Sequence, residues 1–185
     1  MSGKAGVFKV SLSLADLDAM RFDCQRFTTA FLPLETTEHL VLRLLAKGIG
    51  GKKCQFSPRC ANADRPDLYV FDQQQDYWLW MEVGAPDAAH LRAIRRRAPH
   101  LLLLTTHTQL LDEQLRELDS IDNLEVLAVS PHFVGELEAH LSRQIDWSIL
   151  VQEGILTLSS DDFSLQSPLE SMVERRSHTF ESLLA

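Results

Sequence analysis

Two acidic residues, Asp67 and Glu82, lie in two short apolar segments that flank a polar turn, Gln73 to Asp76. These segments predict a β-hairpin, and a hairpin centred on this turn places Asp67 opposite Glu82. Directly opposed residues have Cβ atoms about 4.5–5.5 Å apart, and like charges repel there. Two carboxylates at that distance require a proton or a cation between them. Because oxygen ligands suit Mg²⁺ or Mn²⁺, the pattern predicts a divalent-metal site and favours phosphodiester hydrolysis.

A second interpretation of the same residues is solvent exposure. Acidic side chains near strand ends often face water, and a register shift of one residue would move the two carboxylates to opposite faces of the sheet. The aromatic residues of the hairpin, Tyr69, Trp78 and Trp80, are interpreted as core residues rather than base-stacking platforms, since both strands are predicted to be central.

A third carboxylate is predicted on the first helix. Glu38 shares a helical face with Val41, Leu42 and Leu45, and a carboxylate on an apolar face is costly unless it is paired or binds a metal. Glu35 lies one turn earlier on nearly the same side. We therefore predict Glu38, and also Glu35, as further metal ligands. The alternative is that both simply favour the positive end of the helix dipole.

Arginines follow Glu82 on the next predicted helix. Arg92 and Arg96 are one turn apart and share a face, and arginine donates forked hydrogen bonds to phosphate. They are predicted to bind substrate phosphate, with Arg92 also counted among the catalytic residues. A solvated helix face with cations near its C-terminus is the alternative.

The elements that must position these residues alternate in type along the chain. Predicted helices are Glu35 to Lys47, Asp87 to Arg97, Thr108 to Leu118 and Pro131 to Arg143. Predicted strands outside the central hairpin are Phe8 to Leu14, Phe22 to Phe31, Cys54 to Cys60, Leu101 to Leu104, Leu124 to Val129, Trp147 to Val151 and Ile155 to Leu158. The order predicts an α/β (α+β) fold with a mixed β-sheet, flanking helices, and antiparallel hairpins at both ends.

Composition limits the class of protein. A chain of 185 residues suits a single domain, predicted over residues 1–173 with a loosely held tail at 174–185. A net charge of −8 argues against nucleic-acid binding by bulk electrostatics. No apolar run is long enough for a membrane span, and the absence of a signal core predicts a cytoplasmic protein. The three cysteines are expected to be free thiols, and the oligomeric state is left open.

Three segments together resemble the YaeQ family of bacterial proteins. They are the run from Glu35 to Ala46, Pro66-Asp67, and the run from Trp80 to Asp87; the resemblance extends from the first strand to about Leu169. That family resembles a variant of the PD-(D/E)XK nuclease fold, with a restriction-endonuclease-like core. The resemblance implies Mg²⁺ between Asp67 and Glu82, completed by Glu35 or Glu38, that activates water and neutralises charge on the phosphate of DNA or RNA.

The chain departs from the superfamily pattern at the lysine. That lysine would stand two residues after Glu82, where this chain has Gly84, and relatives carry a lysine near the position of Arg92. Arginine stabilises negative charge but cannot act as a base. Two functions therefore remain: a metal-dependent nuclease-like enzyme, or a catalytically inactive module of the same fold that acts through protein or nucleic-acid interaction. A third is an acidic protein-binding domain with incidental carboxylates.

Overall fold

The structure is a computed structural model that describes residues 6–32, 35–58, 65–110 and 112–172. Its strands are β1 (Val7–Asp16), β2 (Arg21–Ala30), β3 (Gln55–Phe56), β4 (Leu68–Phe71), β5 (Tyr77–Val83), β6 (His100–Thr106), β7 (Leu124–Val129), β8 (Gln144–Gln152), β9 (Ile155–Ser159), β10 (Ser164–Pro168) and β11 (Glu170–Ser171). Its helices are α1 (Thr37–Gly50), α2 (Ala88–Ile94), α3 (Asp112–Asp119) and α4 (Pro131–Ala139). The predicted tail, 174–185, and Cys60 lie outside the described residues.

The strands form two mixed sheets. One has the order β10-β9-β8-β1-β2 and the other the order β11-β7-β6-β5-β4-β3. The mixed α/β class with flanking helices is confirmed, but the single sheet expected from the sequence is wrong. The reason is non-local: β8 pairs in parallel with β1, for example Leu12 with Trp147, so the C-terminal hairpin joins the N-terminal one instead of the central strands.

Helix α1 lies between the two sheets. Every residue from Leu40 to Gly50 is buried, because the helix contacts both sheets and so has no solvated face. The helix begins later than predicted since Thr36 is the N-cap, its side chain accepting a hydrogen bond from the His39 N–H. It ends at Gly51, whose φ of 70° is a left-handed conformation that glycine adopts without strain.

The opposite face of the six-stranded sheet is covered by α2 and α3. Leu68, Met81 and Val83 belong to the core around α1, whereas Trp80 belongs to a second core that includes Leu91 of α2. Because side chains alternate along a strand, residues neighbouring the first set project towards α2. Within the described part of the chain, no helix is long and apolar enough to cross a membrane.

Candidate functional site

The hairpin formed by β4 and β5 brings Asp67 and Glu82 to the same end of the sheet. Its register pairs Leu68 with Met81. Asp67 lies just before β4, and its N–H donates to the Met81 carbonyl at 3.0 Å, so the chain is irregular here and Asp67, like Leu68, faces Met81. The regular pairing therefore does not extend to Asp67 and Glu82: the Asp67 side chain contacts His39 of α1, and the Glu82 side chain contacts His90 of α2.

A cavity of about 400 Å³ opens beside this carboxylate pair. It lies where the first turn of α1, the end of β5 and the start of α2 meet. The charged and histidine side chains that line it are Glu38, His39, Arg65, Asp67, Glu82 and His90. Acidic groups from three different segments of the chain thus converge on one cavity.

Asp67 is held by β5 and α1. Its Oδ2 accepts a hydrogen bond from the Val83 N–H at 3.0 Å and lies 3.5 Å from Nε2 of His39. The side chain is only 9% exposed. Its other oxygen, Oδ1, has no partner among the described residues, so the carboxylate retains capacity to bind a ligand.

Glu82 has the more perturbed carboxyl group. Its Oε1 accepts a hydrogen bond from the Trp80 indole N–H at 2.7 Å and lies 3.2 Å from Nε2 of His90. Burial and the neighbouring Asp67 charge raise the pKa of Glu82 to about 7, although the Trp80 and His90 contacts favour the charged form. Glu82 therefore changes its protonation state near neutral pH. Its second carboxylate oxygen, Oε2, has no partner among the described residues.

His39 connects Asp67 to a buried ion pair. Its Nδ1 lies 3.0 Å from Oε1 of Glu35, on the side of the ring opposite the Asp67 contact. Burial opposes protonation, but the hydrogen bonds to Asp67 and Glu35 outweigh it and raise the pKa of His39 to about 9. The ring is a cation at neutral pH, and both of its nitrogens face carboxylates.

Glu35 has a different environment from the predicted one. Arg43 Nε and Nη2 lie 2.5 Å and 2.9 Å from its two carboxylate oxygens, and the Glu35 side chain is 2% exposed. Burial would raise the pKa of Glu35, but His39 and Arg43 bring it below its ordinary value. Because an arginine already occupies both oxygens, the arrangement disfavours Glu35 as a metal ligand.

Glu38 lines the cavity from the first turn of α1. Its Oε1 accepts a hydrogen bond from Gln109 Nε2 at 2.9 Å. Gln109 is itself fixed to the end of β6, since its Oε1 accepts from Thr105 Oγ1 at 2.9 Å and from the Thr106 N–H at 3.2 Å. The loop after β6 therefore positions Glu38 at the cavity.

Glu38 does not form one metal-binding cluster with Asp67 and Glu82. In the described part of the chain, no group of three or more His, Cys, Asp or Glu side chains is arranged to hold a metal ion, so Glu38 does not complete a set with Asp67 and Glu82. Mg²⁺ is nevertheless commonly bound through one or two carboxylates and several waters. Asp67 and Glu82 fit that pattern, since both line the cavity and each keeps one oxygen without a described partner.

Arg92 and Arg96 are directed elsewhere. Arg92 Nη2 lies 3.0 Å from Glu117 Oε2 on α3, and both side chains are nearly half exposed. His90, two residues earlier, lines the cavity, and helical residues two apart lie on different faces. Helix α2 ends at Ile94, so Arg96 is an exposed residue of the following turn and shares no helical face with Arg92. Neither residue lines the cavity.

Gly84 explains why no lysine occupies the motif position. Its φ is 86°, a left-handed conformation that strains residues with a side chain. A Cβ added to this glycine would meet only Cδ2 of His39, at 3.8 Å. Backbone conformation rather than lack of space therefore disfavours a lysine here.

Sequence reasoning missed the two cavity histidines. The sequence has seven histidines, and the sequence analysis predicts none of them at the site. His39 follows Glu38 directly and lies four residues after Glu35, one helical turn away, which is a usable signal. His90 lies three residues after the N-cap Asp87, yet nothing in the local pattern indicates its contact with Glu82.

The comparisons with known proteins agree with this architecture. The family model described as YaeQ protein matches residues 1–169. The YaeQ protein of Escherichia coli (strain K12) is 26% identical over 171 residues, covering 90% of this chain and 94% of that protein. The Salmonella typhi YaeQ protein is 26% identical over 174 residues, covering 91% and 96%.

Two crystal structures are similar in fold. The YaeQ protein from Xanthomonas axonopodis pv. citri has a TM-score of 0.85 at 24% identity, covering 93% of this chain and 100% of that one. The YaeQ protein from Pseudomonas syringae has a TM-score of 0.84 at 25% identity, covering 94% and 98%. With a family match over nearly the whole sequence, this chain belongs to the YaeQ protein family.

Proposed function

We propose that this chain is a metal-dependent phosphodiesterase of the nuclease type that acts on DNA or RNA at the cavity beside Asp67 and Glu82. The observation that carries the proposal is that these two carboxylates line one cavity, near enough for the Asp67 charge to raise the pKa of Glu82, each with an oxygen that has no described partner. The resemblance to PD-(D/E)XK nucleases points to the same two residues.

Asp67 and Glu82 would hold the metal, Mg²⁺ or Mn²⁺. When bound, such an ion polarises a phosphoryl oxygen and makes a water nucleophilic at neutral pH. It would also remove the repulsion between the two carboxylates, which is one cause of the raised pKa of Glu82. Divalent cations therefore have an electrostatic reason to prefer this site over other acidic positions.

The remaining cavity residues supply orientation and charge. His39, a cation held between Asp67 and Glu35, fixes Asp67 and adds positive charge near a bound phosphate. His90, beside Glu82, can donate or accept a proton. Arg65 also lines the cavity and offers forked hydrogen bonds to a phosphate. These groups take the place that the superfamily gives to a lysine.

A second candidate function is a non-catalytic module of the same fold. One observation favours it: among the described residues, no lysine lines the cavity, and Arg92 is paired with Glu117 outside it. In that case the site binds a cation, and the protein binds its partner, without cleavage.

Cleavage of labelled oligonucleotides tests the proposal. Single-stranded and duplex DNA and RNA are incubated with Mg²⁺, with Mn²⁺ or with a chelator. Reducing buffer is used because the described cysteines, Cys24 and Cys54, are free thiols. The variants are Asp67→Asn and Glu82→Gln, which keep side-chain size, and the matched control is Asp146→Asn, an exposed carboxylate on the other sheet.

Both site variants are expected to lower metal-dependent cleavage about 100-fold or more, because a bound cation contributes several kcal/mol to such reactions. The control should cleave like wild type. Cleavage that persists in chelator, or that Asp67→Asn leaves unchanged, would refute the enzymatic proposal. Metal binding without cleavage of any substrate in the panel would favour the non-catalytic module.

A further inference from the structure

A row of aromatic side chains extends from Glu82 along the same face of the sheet. This aromatic row consists of Trp80, Tyr77, Tyr69 and Phe71. Ring centroids are 5.0 Å apart for Tyr77 and Trp80, 5.5 Å for Tyr69 and Tyr77, and 5.1 Å for Phe71 and Tyr77. Trp80 donates its indole N–H to Glu82, so the row begins at the carboxylate pair. Tyr69 lies two residues after Asp67, which is about 7 Å along a strand.

The outer members of the row are not core residues. Trp80 is 1% exposed and Tyr77 packs against the second core. Tyr69 and Phe71 are partly exposed and belong to neither hydrophobic cluster of the described chain. They are uncovered because the core that α2 and α3 form on this face includes residues of β5, β6 and β7 but none of β4. The expectation that Tyr69 is a core residue is therefore wrong.

Positive charge flanks the same surface. The Arg97 guanidinium lies 5.7 Å from the centre of the Trp80 ring. Arg95, Arg96 and Arg97 form an exposed turn after α2, and the Asn123 side chain fixes this turn by donating to the carbonyls of Arg95 and Ala98, both at 2.9 Å. Arg97 therefore lies beside the aromatic row, and Arg95 and Arg96 are its neighbours on the same fixed turn.

We propose that the partly exposed rings of the aromatic row, Tyr69, Phe71 and Tyr77, bind the unpaired bases of single-stranded nucleic acid, and that the turn at residues 95–97 contacts its phosphates. The inference rests on the proposed function, for which it names the substrate class. Aromatic rings stack on bases of any sequence, and such stacking is combined with arginine contacts in known single-strand binders. Duplexes do not expose their base faces, so this surface selects single strands.

The net charge of −8 does not oppose this assignment at physiological salt. Charges further apart than about 10 Å are largely screened at 0.1 M ionic strength. The arginines at residues 95–97 would act on a bound phosphate at a shorter distance than this. Stacking is also less dependent on salt than phosphate contacts are.

Equilibrium binding without metal tests the inference separately from catalysis. Fluorescence anisotropy is measured for labelled 12-residue oligo(U) and oligo(dT), and for a duplex of equal length, in chelator at 0.1 M salt. The variants are the double substitution Tyr69→Ala/Phe71→Ala, the ring-preserving Tyr69→Phe, and Phe71→Leu, which keeps an apolar side chain. Phe22→Ala is the matched control, since Phe22 is 66% exposed on the other sheet.

Wild type should bind single strands at least about 10-fold more tightly than the duplex. The double variant should lose at least about 10-fold in affinity and Phe71→Leu about 5-fold, with Tyr69→Phe and Phe22→Ala within 2-fold of wild type. Circular dichroism checks folding, and Phe71→Leu decides the matter if the alanine variant unfolds.

Equal affinity for the duplex, no effect of ring removal, or no binding at all would overturn the inference. These results differ from failure of the proposed function. Binding that needs the rings but is accompanied by no metal-dependent cleavage would refute only the enzymatic proposal. Metal-dependent cleavage with no contribution from the rings would refute only the aromatic row.

Discussion

Glu35 and Glu82 are both buried carboxylates beside histidines, yet their environments differ in kind. Glu35 is neutralised by Arg43 at 2.5 Å and by His39 at 3.0 Å, and its pKa is below the ordinary value. Glu82 faces another carboxylate, and its pKa is raised to about 7. The chain itself supplies the cations that neutralise Glu35, but it does not neutralise the charge of Glu82.

The difference shows that burial alone does not identify a ligand-binding carboxylate. Both residues were predicted as metal ligands, Glu82 from its place opposite Asp67 in the hairpin and Glu35 from its place one turn before Glu38 on the apolar face of the first helix. For Glu35 that partner is an arginine eight residues later, on helix α1. For Glu82 the chain supplies a second negative charge, so the missing partner must come from solution as a proton or a cation.

The largest predicted effect concerns the buried ion pair of Glu35 and Arg43. Arg43→Met should lower the free energy of unfolding by about 3–5 kcal/mol, because it leaves the Glu35 charge buried without its cation. Urea denaturation at neutral pH measures the change. In Glu35→Gln/Arg43→Met no charge is stranded, so part of the loss should be recovered. A loss below about 1 kcal/mol in the single variant would contradict the description of this site as a complete ion pair.

The second prediction is a pH dependence that comes from His39. Its folded pKa, about 9, exceeds the unfolded value near 6.5, so its contribution to stability is complete below about 6.5 and is lost as pH rises towards 9. The difference in unfolding free energy between wild type and His39→Gln should therefore shrink across that window by on the order of 2–3 kcal/mol. A difference that is independent of pH would mean that His39 is neutral in the folded protein.

The third prediction concerns Glu82, and the expected change in the free energy of unfolding has the opposite sign from the first prediction. In chelator at pH 8, Glu82→Gln should raise the free energy of unfolding by about 1–2 kcal/mol, because it removes a buried charge opposite Asp67 and keeps an acceptor for Trp80. Thermal and urea unfolding at pH 5 serve as the control, since Glu82 is protonated there and the gain should disappear. Destabilisation at pH 8 would show that Glu82 is already compensated.

The smallest effect is expected at Arg92. Arg92→Ala should change the free energy of unfolding by less than about 1 kcal/mol, because its ion pair with Glu117 is exposed. Cleavage and metal affinity should match wild type, since Arg92 does not line the cavity. A large loss of cleavage would restore the catalytic role that the family resemblance implied for this residue.

The parts of the molecule that the sequence predicted are those set by short-range geometry. The register of the β4–β5 hairpin, with Leu68 opposite Met81, follows from a turn of known centre, whereas the irregular hydrogen bond from Asp67 to Met81 does not. The partners of Glu35 and Arg92 depend on helix rotation, and α1 starts at Thr37 rather than Glu35 because Thr36 caps it. The parallel pairing of β8 with β1 joins segments more than a hundred residues apart, and no local pattern specifies it.

The aromatic row illustrates the same limit. Alternation placed Tyr69 and Phe71 on one face of β4, but whether that face is covered depends on the helices that pack on the sheet. The core formed with α2 and α3 contains no residue of β4, and no local pattern specifies which strands those helices cover. The sequence therefore indicated the face of each aromatic residue and not its exposure.

Isothermal titration of Mn²⁺ into wild type, Glu82→Gln and Glu35→Gln tests the central distinction most directly. At pH 7.5 wild type should bind one ion, Glu82→Gln should lose at least about 10-fold in affinity, and Glu35→Gln should bind like wild type once its folding is verified. Wild-type affinity should also fall below pH 7, as Glu82 becomes protonated. If wild type binds no Mn²⁺, or if both variants lose the same affinity for Mn²⁺, the assignment of Asp67 and Glu82 as the metal site is contradicted.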